Sequence, residues 1–197
     1  MAANKVKFGL CNVHYALVTE TVTSGVTTTA YGTVKALPGA VNLSLSSSAS
    51  KSVFRADNED YYVSYGAGGF EGDLEVARVN EDFFKDVLGA REDDDGILVE
   101  DSDSFKQTTY FALMFEFDGD KRNTKHCLYK CSASRPSIAS ATTGEGGSTD
   151  PQTESLTITA GPRGDADKLV HAWTQESTDA DVIAAWYTAV PVPTFTP

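Results

Sequence analysis

Cysteine is scarce in this chain of 197 residues: there are three, an odd number. That count argues against a disulfide framework of the kind that staples small secreted domains. Positive charge is also short. Lys and Arg total 16 against 28 Asp and Glu, for a net charge of -12, so a surface built to grip nucleic-acid phosphate is not expected. Long apolar runs are missing, since no stretch approaches the ~18 residues of a membrane-crossing helix. The opening "MAANKVKFGLCNVHYALV" has no apolar h-region followed by a small-residue cleavage site. The expectation is a protein made and kept in the cytosol, with no membrane partner.

Catalytic and metal-binding patterns are absent too. "REDDDG" (Arg91 to Gly96) lacks the spaced ligands and terminal Glu of a calcium loop. "FDGDKR" reads as a hairpin turn built on Asp-Gly. "GAGG" (Gly66 to Gly69) opens no helix, so it forms no phosphate cradle. His14 and His171 lie in strand-like segments without a nucleophile in a motif context. "KHCLYKCSASRP" (Lys125 to Pro136) places His126 beside Cys127 and Cys131. On a strand the two cysteines share a face about 13 Å apart, and His126 takes the other face. That separation permits neither one zinc ion nor a mutual disulfide. Both cysteines are therefore expected to be inert core residues. No enzyme, cofactor or metal is expected.

What is present has the texture of a β protein with an ordinary globular composition, 41% hydrophobic and 22% charged. "VHYALVTE" (Val13 to Glu20) and "YGTVKALPG" (Tyr31 to Gly39) flank a Thr-rich connection that reads as a flexible hairpin tip. "GAVNLSLS" alternates Val41, Leu43 and Leu45 against Asn42 and Ser44. "GFEGDLEVARV" sets Phe70, Leu74 and Val76 against Glu71, Asp73 and Glu75, and "YFALMFEF" alternates in the same way. Two segments have helical spacing. "NEDFFKDVLG" carries Asn80 as N-cap and Gly89 as stop, with Phe83, Phe84, Val87 and Leu88 on one side. "STDADVIAAWYTAV" carries Thr178 and Asp181 as a variant capping box and ends before Pro191. A flexible Gly/Ser-rich loop covers about 134–153 without breaking the strand pattern, so one domain over 1–197 is expected.

One ordered set of segments is similar to a known family. These are "NKVKFGLCNVHYALVTE", "ALPGAVNLSLS", "FRADNEDYYVSYGAGGFEGDLEVARV", "NEDFFKDVLG", "FALMFEFDGDKRNTKHCLYKCSASRP" and "ESLTITAGPR". In this order, over roughly residues 4–190, the chain resembles the major tail tube proteins of long flexible-tailed (siphovirus-type) phages of Gram-positive bacteria. The resemblance implies a mainly β fold: a β-sandwich or barrel with a flanking short α-helix, a C-terminal helix and a long extended hairpin loop. It also implies hexameric rings that stack into a virion tail tube for DNA, assembled in the host cytoplasm. The implied partners are the chain itself, the tape measure protein, and the tail-tip (initiator) and tail terminator proteins.

If each subunit of a hexamer gives about four strands, a barrel of about 24 strands has a backbone diameter of about 48 Å. Side chains reduce this to ~38 Å, which still passes duplex DNA. Glu71, Asp73 and Glu75 are the candidate lumen residues, because carboxylates facing phosphate deny DNA a counterion-release gain. The candidate inter-ring loop is about 46–69, with Phe54, Arg55, Asp57, Asn58, Tyr61, Tyr62 and Tyr65. The N-terminal residues to Phe8 and the extension 191–197 are further expected contacts. Two other function classes stand beside this one. A carbohydrate-binding or adhesin-like β-sandwich would use Tyr61, Tyr62 and Tyr65 over a polar groove. A hydrolase would need a carboxylate pair such as Glu71 with Glu116.

Overall fold

The computed structural model describes residues 8–49, 51–56, 58–66, 68–118, 124–140, 142 and 151–195. In chain order the strands and helices are β1 (Leu10–Thr23), β2 (Val26–Tyr31), β3 (Lys35–Ala36), β4 (Ala40–Ser47), β5 (Lys51–Ala56), β6 (Glu59–Tyr65) and β7 (Phe70–Val76). Then come α1 (Glu81–Asp86), β8 (Arg91–Glu92), β9 (Leu98–Val99), β10 (Phe111–Phe117), β11 (Lys125–Ala133), β12 (Glu154–Ala160), β13 (His171–Trp173) and α2 (Ala180–Ala185). Seven strands run in the order β2-β1-β10-β11-β12-β7-β4, with β13 added to β11 and β3 to β1, as one nine-stranded sheet. All these pairings are antiparallel. The fold is mainly β, as expected.

The sheet curls around one large core. Tyr15 and Val13 of β1, Phe111, Leu113 and Phe115 of β10, Leu156 and Ile158 of β12, and Leu74 and Val76 of β7 face inward together. Helix α1 closes this core because its apolar side is Phe83, Val87 and Leu88. Phe83 is fully buried, edge-on to Tyr15 at 5.0 Å and to Phe111 at 5.4 Å. The helix starts where Asn80 Oδ1 accepts the Phe83 N–H at 3.1 Å. It stops before Gly89, whose φ of 75° suits glycine.

A second apolar layer covers the outer side of β1, β10 and β11. Ala16, Ala112, Met114, Cys127 and Tyr129 pack there under Trp186 and Val190. Strand β10 is thus buried on both faces, which explains its near-continuous apolar run. Asp179, rather than Thr178, caps α2: its Oδ1 accepts the Asp181 N–H at 2.8 Å. Thr178 instead accepts from the Gln175 N–H. Among the described residues no helix is long and apolar enough to cross a membrane.

Three expectations fail for local reasons. The Thr-rich connection after β1 is not a flexible tip, because Thr27, Thr28 and Thr29 are paired within β2. The turn is only Ser24-Gly25, both with positive φ, as a tight two-residue hairpin turn demands. Val41 does not join Leu43 and Leu45. The register shifts between Ala40 and Asn42, and Val41 is 51% exposed at that bulge while Ala40 packs inward. Cys127 and Cys131 do not share a face either. The β10–β11 register moves from Phe111↔Cys131 to Leu113↔Leu128. This puts Leu128 and Cys131 in the main core and leaves Cys127 and Tyr129 in the outer layer.

Candidate functional site

The two halves of the outer sheet surface differ. Over β1, β10 and β11 it is apolar and covered by Trp186 and Val190, which follow α2. Over β4, β7 and β12 it is polar and bare. Glu71 and Asp73 are exposed and Glu75 is half-buried, while Leu74 and Val76 beside them are fully buried. The register sets Asn42, Ser44 and Ser46 of β4 on one side of this row. On the other side stand Ser155, Thr157 and Thr159 of β12. Three carboxylates therefore sit among six hydroxyl or amide side chains, with no Lys or Arg at any of the nine positions. Thr157 Oγ1 donates to Asp73 Oδ1 at 3.0 Å, and Thr153 Oγ1 donates to Glu75 Oε1. These contacts fix Asp73 and Glu75 against residues of β12 and the position before it.

Gly72 lets the face form. A Cβ there would lie 1.8 Å from the Ser44 carbonyl oxygen, so any side chain would push β4 off β7. Several cations elsewhere among the described residues are tied to carboxylates. Lys125 meets Glu116 at 2.6 Å, Lys130 meets Glu20 at 2.7 Å, Lys35 meets Asp86 at 2.6 Å and Arg163 meets Asp165 at 2.6 Å.

The segment expected as an inter-ring loop contains a separate two-stranded ribbon, β5–β6, which pairs with no other described strand. Phe54 lies opposite Tyr62, and they are 61% and 62% exposed. Tyr61 is 73% exposed and is the extra residue where the register shifts from Phe54↔Tyr62 to Arg55↔Asp60. Arg55 Nε meets Asp60 Oδ1 at 3.1 Å, and Asn58 takes a φ of 65° at the tip. Asp57 and the side chain of Tyr65 lie outside the described residues. A two-stranded ribbon with aromatic side chains in water is marginal alone. Ser46 and Ser47, placed in the loop by sequence, still belong to β4.

The carboxylate pair a hydrolase would need is not formed. Glu116 is on β10 and Glu71 on β7, three strands apart, so ~14 Å separates them laterally even before any offset along the strands. Glycosidase pairs stand ~5–9.5 Å apart. Glu116 is instead a nearly buried structural anion held by Lys125 and by Asn12 Nδ2.

The cysteines are reduced and separate. Burial pushes the Cys127 and Cys131 thiols well above the usual thiol range, and burial together with Glu116 raises that of Cys11. A thiol-reactive disulfide reagent at neutral pH is therefore expected to modify at most Cys11 in the folded protein and all three thiols in denaturant. Fast labelling of two native thiols would contradict the buried placement.

Sequence reasoning missed a histidine cluster. His126 and His171 stack with ring centroids 5.4 Å apart, and Nδ1 of the first is 3.2 Å from Nε2 of the second. Phe115, Phe117, Phe70 and Trp173 surround the pair. No sequence signal links positions 126 and 171, because only the pairing of β13 with β11 joins them. Burial lowers the His171 pKa below its ordinary value of 6.5. The folded state thus prefers the neutral ring, and the unfolded state takes up a proton first as pH falls. Stability from this group is complete above about pH 6.5 and declines below it, by at most ~1.4 kcal/mol per pH unit, until the folded ring also protonates. Denaturant midpoints at pH 7.5 and 5.5 should show that fall, and His171→Phe should flatten it.

No protein-family model matches the chain, and a search of curated proteins finds no match. Among solved structures, the chain is similar to one from the cryo-EM structure of the anti-feeding prophage baseplate, six-fold symmetrised. The identity is 10% and the TM-score 0.35, over 89% of this chain and 95% of that one.

Proposed function

We propose that this chain is a structural subunit of a phage tail, without enzymatic activity. It self-assembles into stacked hexameric rings that form the tube through which DNA is delivered. The observation that carries this reading is the bare face of β4, β7 and β12, a cation-free surface bearing Glu71, Asp73 and Glu75. Such a face binds phosphate poorly, as a conduit wall must. Together with the adjoining part of β11 it spans four strands, the number per subunit assumed for the 24-strand barrel above. The outer edge of β4 has no partner among the described strands and is open to a neighbour's strand.

The β5–β6 ribbon serves as the contact between rings, where burial of Phe54, Tyr61 and Tyr62 gives it the support it lacks in the monomer. The sequence resemblance supplies the rest of the reading: a long flexible tail, with tape measure, tail-tip and terminator proteins as partners. The alternative is an adhesin-like module, in which the exposed Tyr61 and Tyr62 of the ribbon would contact a carbohydrate.

Negative-stain electron microscopy of the purified chain at raised concentration tests the proposal. Open six-membered rings or tubes are the expected result. A monomer that stays inert even when a tail-tip complex is added would overturn it.

A further inference from the structure

A groove of about 540 Å³ lies between β13, α2 and the segment after it. One side is Ala172, Trp173 and Thr174; the other is Val182, Ala185, Trp186 and Ala189; the segment 190–194 closes it. The Tyr129 hydroxyl pins that segment by donating to the Pro191 carbonyl at 2.8 Å. Exposed apolar residues gather here: Trp173 is 60%, Val182 45% and Val192 50% exposed. None of the lining residues is charged.

Three features define what fits. First, β13 is an edge. The Thr174 N–H donates to Lys125 O and the Tyr129 N–H donates to Val170 O, both toward β11. By the alternation of an antiparallel ladder, the backbone groups of His171 and Trp173 then point away from β11, and β13 pairs with no other described strand. Second, Trp186 is 4% exposed and its indole N–H is buried without an acceptor. A buried orphan donor is costly, and the ring that carries it lines the groove, so occupation of the groove changes its surroundings. Third, the turn that opens α2 beside the groove carries Asp179 and Asp181, both exposed, so the groove has an acidic rim.

We propose that this groove takes an extended, basic and aliphatic segment of a partner protein as an added strand on β13. Main-chain hydrogen bonds to Trp173 hold the segment in register. Alternate small apolar side chains cover Ala172, Ala185 and Ala189 and press on the Trp186 ring, and intervening Lys or Arg side chains meet Asp179 and Asp181. The site adjoins the apolar half of the outer sheet surface rather than the half that bears Glu71, Asp73 and Glu75, and it does not depend on the tube reading.

The chain has two Trp residues, so its indole N–H resonances are few and Trp173→Phe assigns them. The probe is a synthetic octapeptide alternating valine and lysine, titrated into the full chain, with a valine–glutamate octapeptide as control. The expected result is a saturable shift of the Trp186 indole N–H with the lysine peptide alone. Ala185→Phe fills the groove from an exposed position and should weaken binding at least tenfold. Asp179→Asn with Asp181→Asn keeps an N-cap and should weaken binding about fivefold. The proposal is overturned if the indole does not move, if both peptides shift it equally, or if Ala185→Phe leaves the shift intact. It is also overturned if the shift appears without peptide as protein concentration rises, because a second copy would then fill the groove.

Discussion

Tubes assembled from a Glu71→Lys, Asp73→Lys, Glu75→Lys variant are expected to hold duplex DNA that parent tubes release. Each new cation that meets a phosphate releases condensed counterions and contributes about -0.9 to the slope of log K against log salt. The three contacts of a single subunit would by themselves make binding fall about 40-fold between roughly 50 and 200 mM salt, and further subunits steepen the fall, whereas the parent should show no measurable retention. The three side chains leave the sheet on its solvent side, with Leu74 and Val76 keeping the core contacts. The substitutions should therefore cost little stability. Co-sedimentation of linear duplex DNA with tubes, across a salt series, is the measurement. Equal release by variant and parent would remove these residues from the lumen.

The second large effect is on stability. Phe83→Ala should destabilise the fold by about 3–5 kcal/mol. Phe83 is fully buried and is the point where α1 meets β1 and β10, edge-on to both Tyr15 and Phe111. Removing its ring leaves a void that a six-residue helix capped at both ends cannot collapse to fill. Because domains of this kind are stable by only about 5–15 kcal/mol, a large share of the total is lost. Urea unfolding followed by tryptophan emission would measure it. A loss under about 1 kcal/mol would mean that α1 is not the lid of the main core.

Much of this was legible before any coordinates. Period-2 alternation in "GFEGDLEV" predicts the faces of β7 residue for residue, and the Asn80 cap and Gly89 stop bracket α1 as expected. The long hairpin expected within 46–69 is present as β5–β6, with Phe54, Tyr61 and Tyr62 exposed. "ESLTITA" and "NLSLS" could be read as strands, but nothing in either says that they flank β7 and complete a cation-free face. The histidine pair and the apolar groove depend in the same way on which strands meet. Where alternation misled, at Val41 and at Cys127 with Cys131, a bulge was responsible. One extra residue flips the face of everything beyond it, and that choice follows from packing with a partner strand distant in sequence.

The sequence by itself determined the class of the molecule. Apolar and polar residues alternating at a spacing of two make strands with one buried face, and a shortage of cations denies the surface a grip on phosphate. Those are local or summed properties, independent of how the strands are arranged. Only the tertiary structure decided that three separated strands place Glu71, Asp73 and Glu75 among hydroxyls on one bare face. It alone decided that β5–β6 stands unsupported and that β13 keeps an open edge beside an unpaired indole. Strand order and register arise from side chains meeting across the core, and those meetings are non-local.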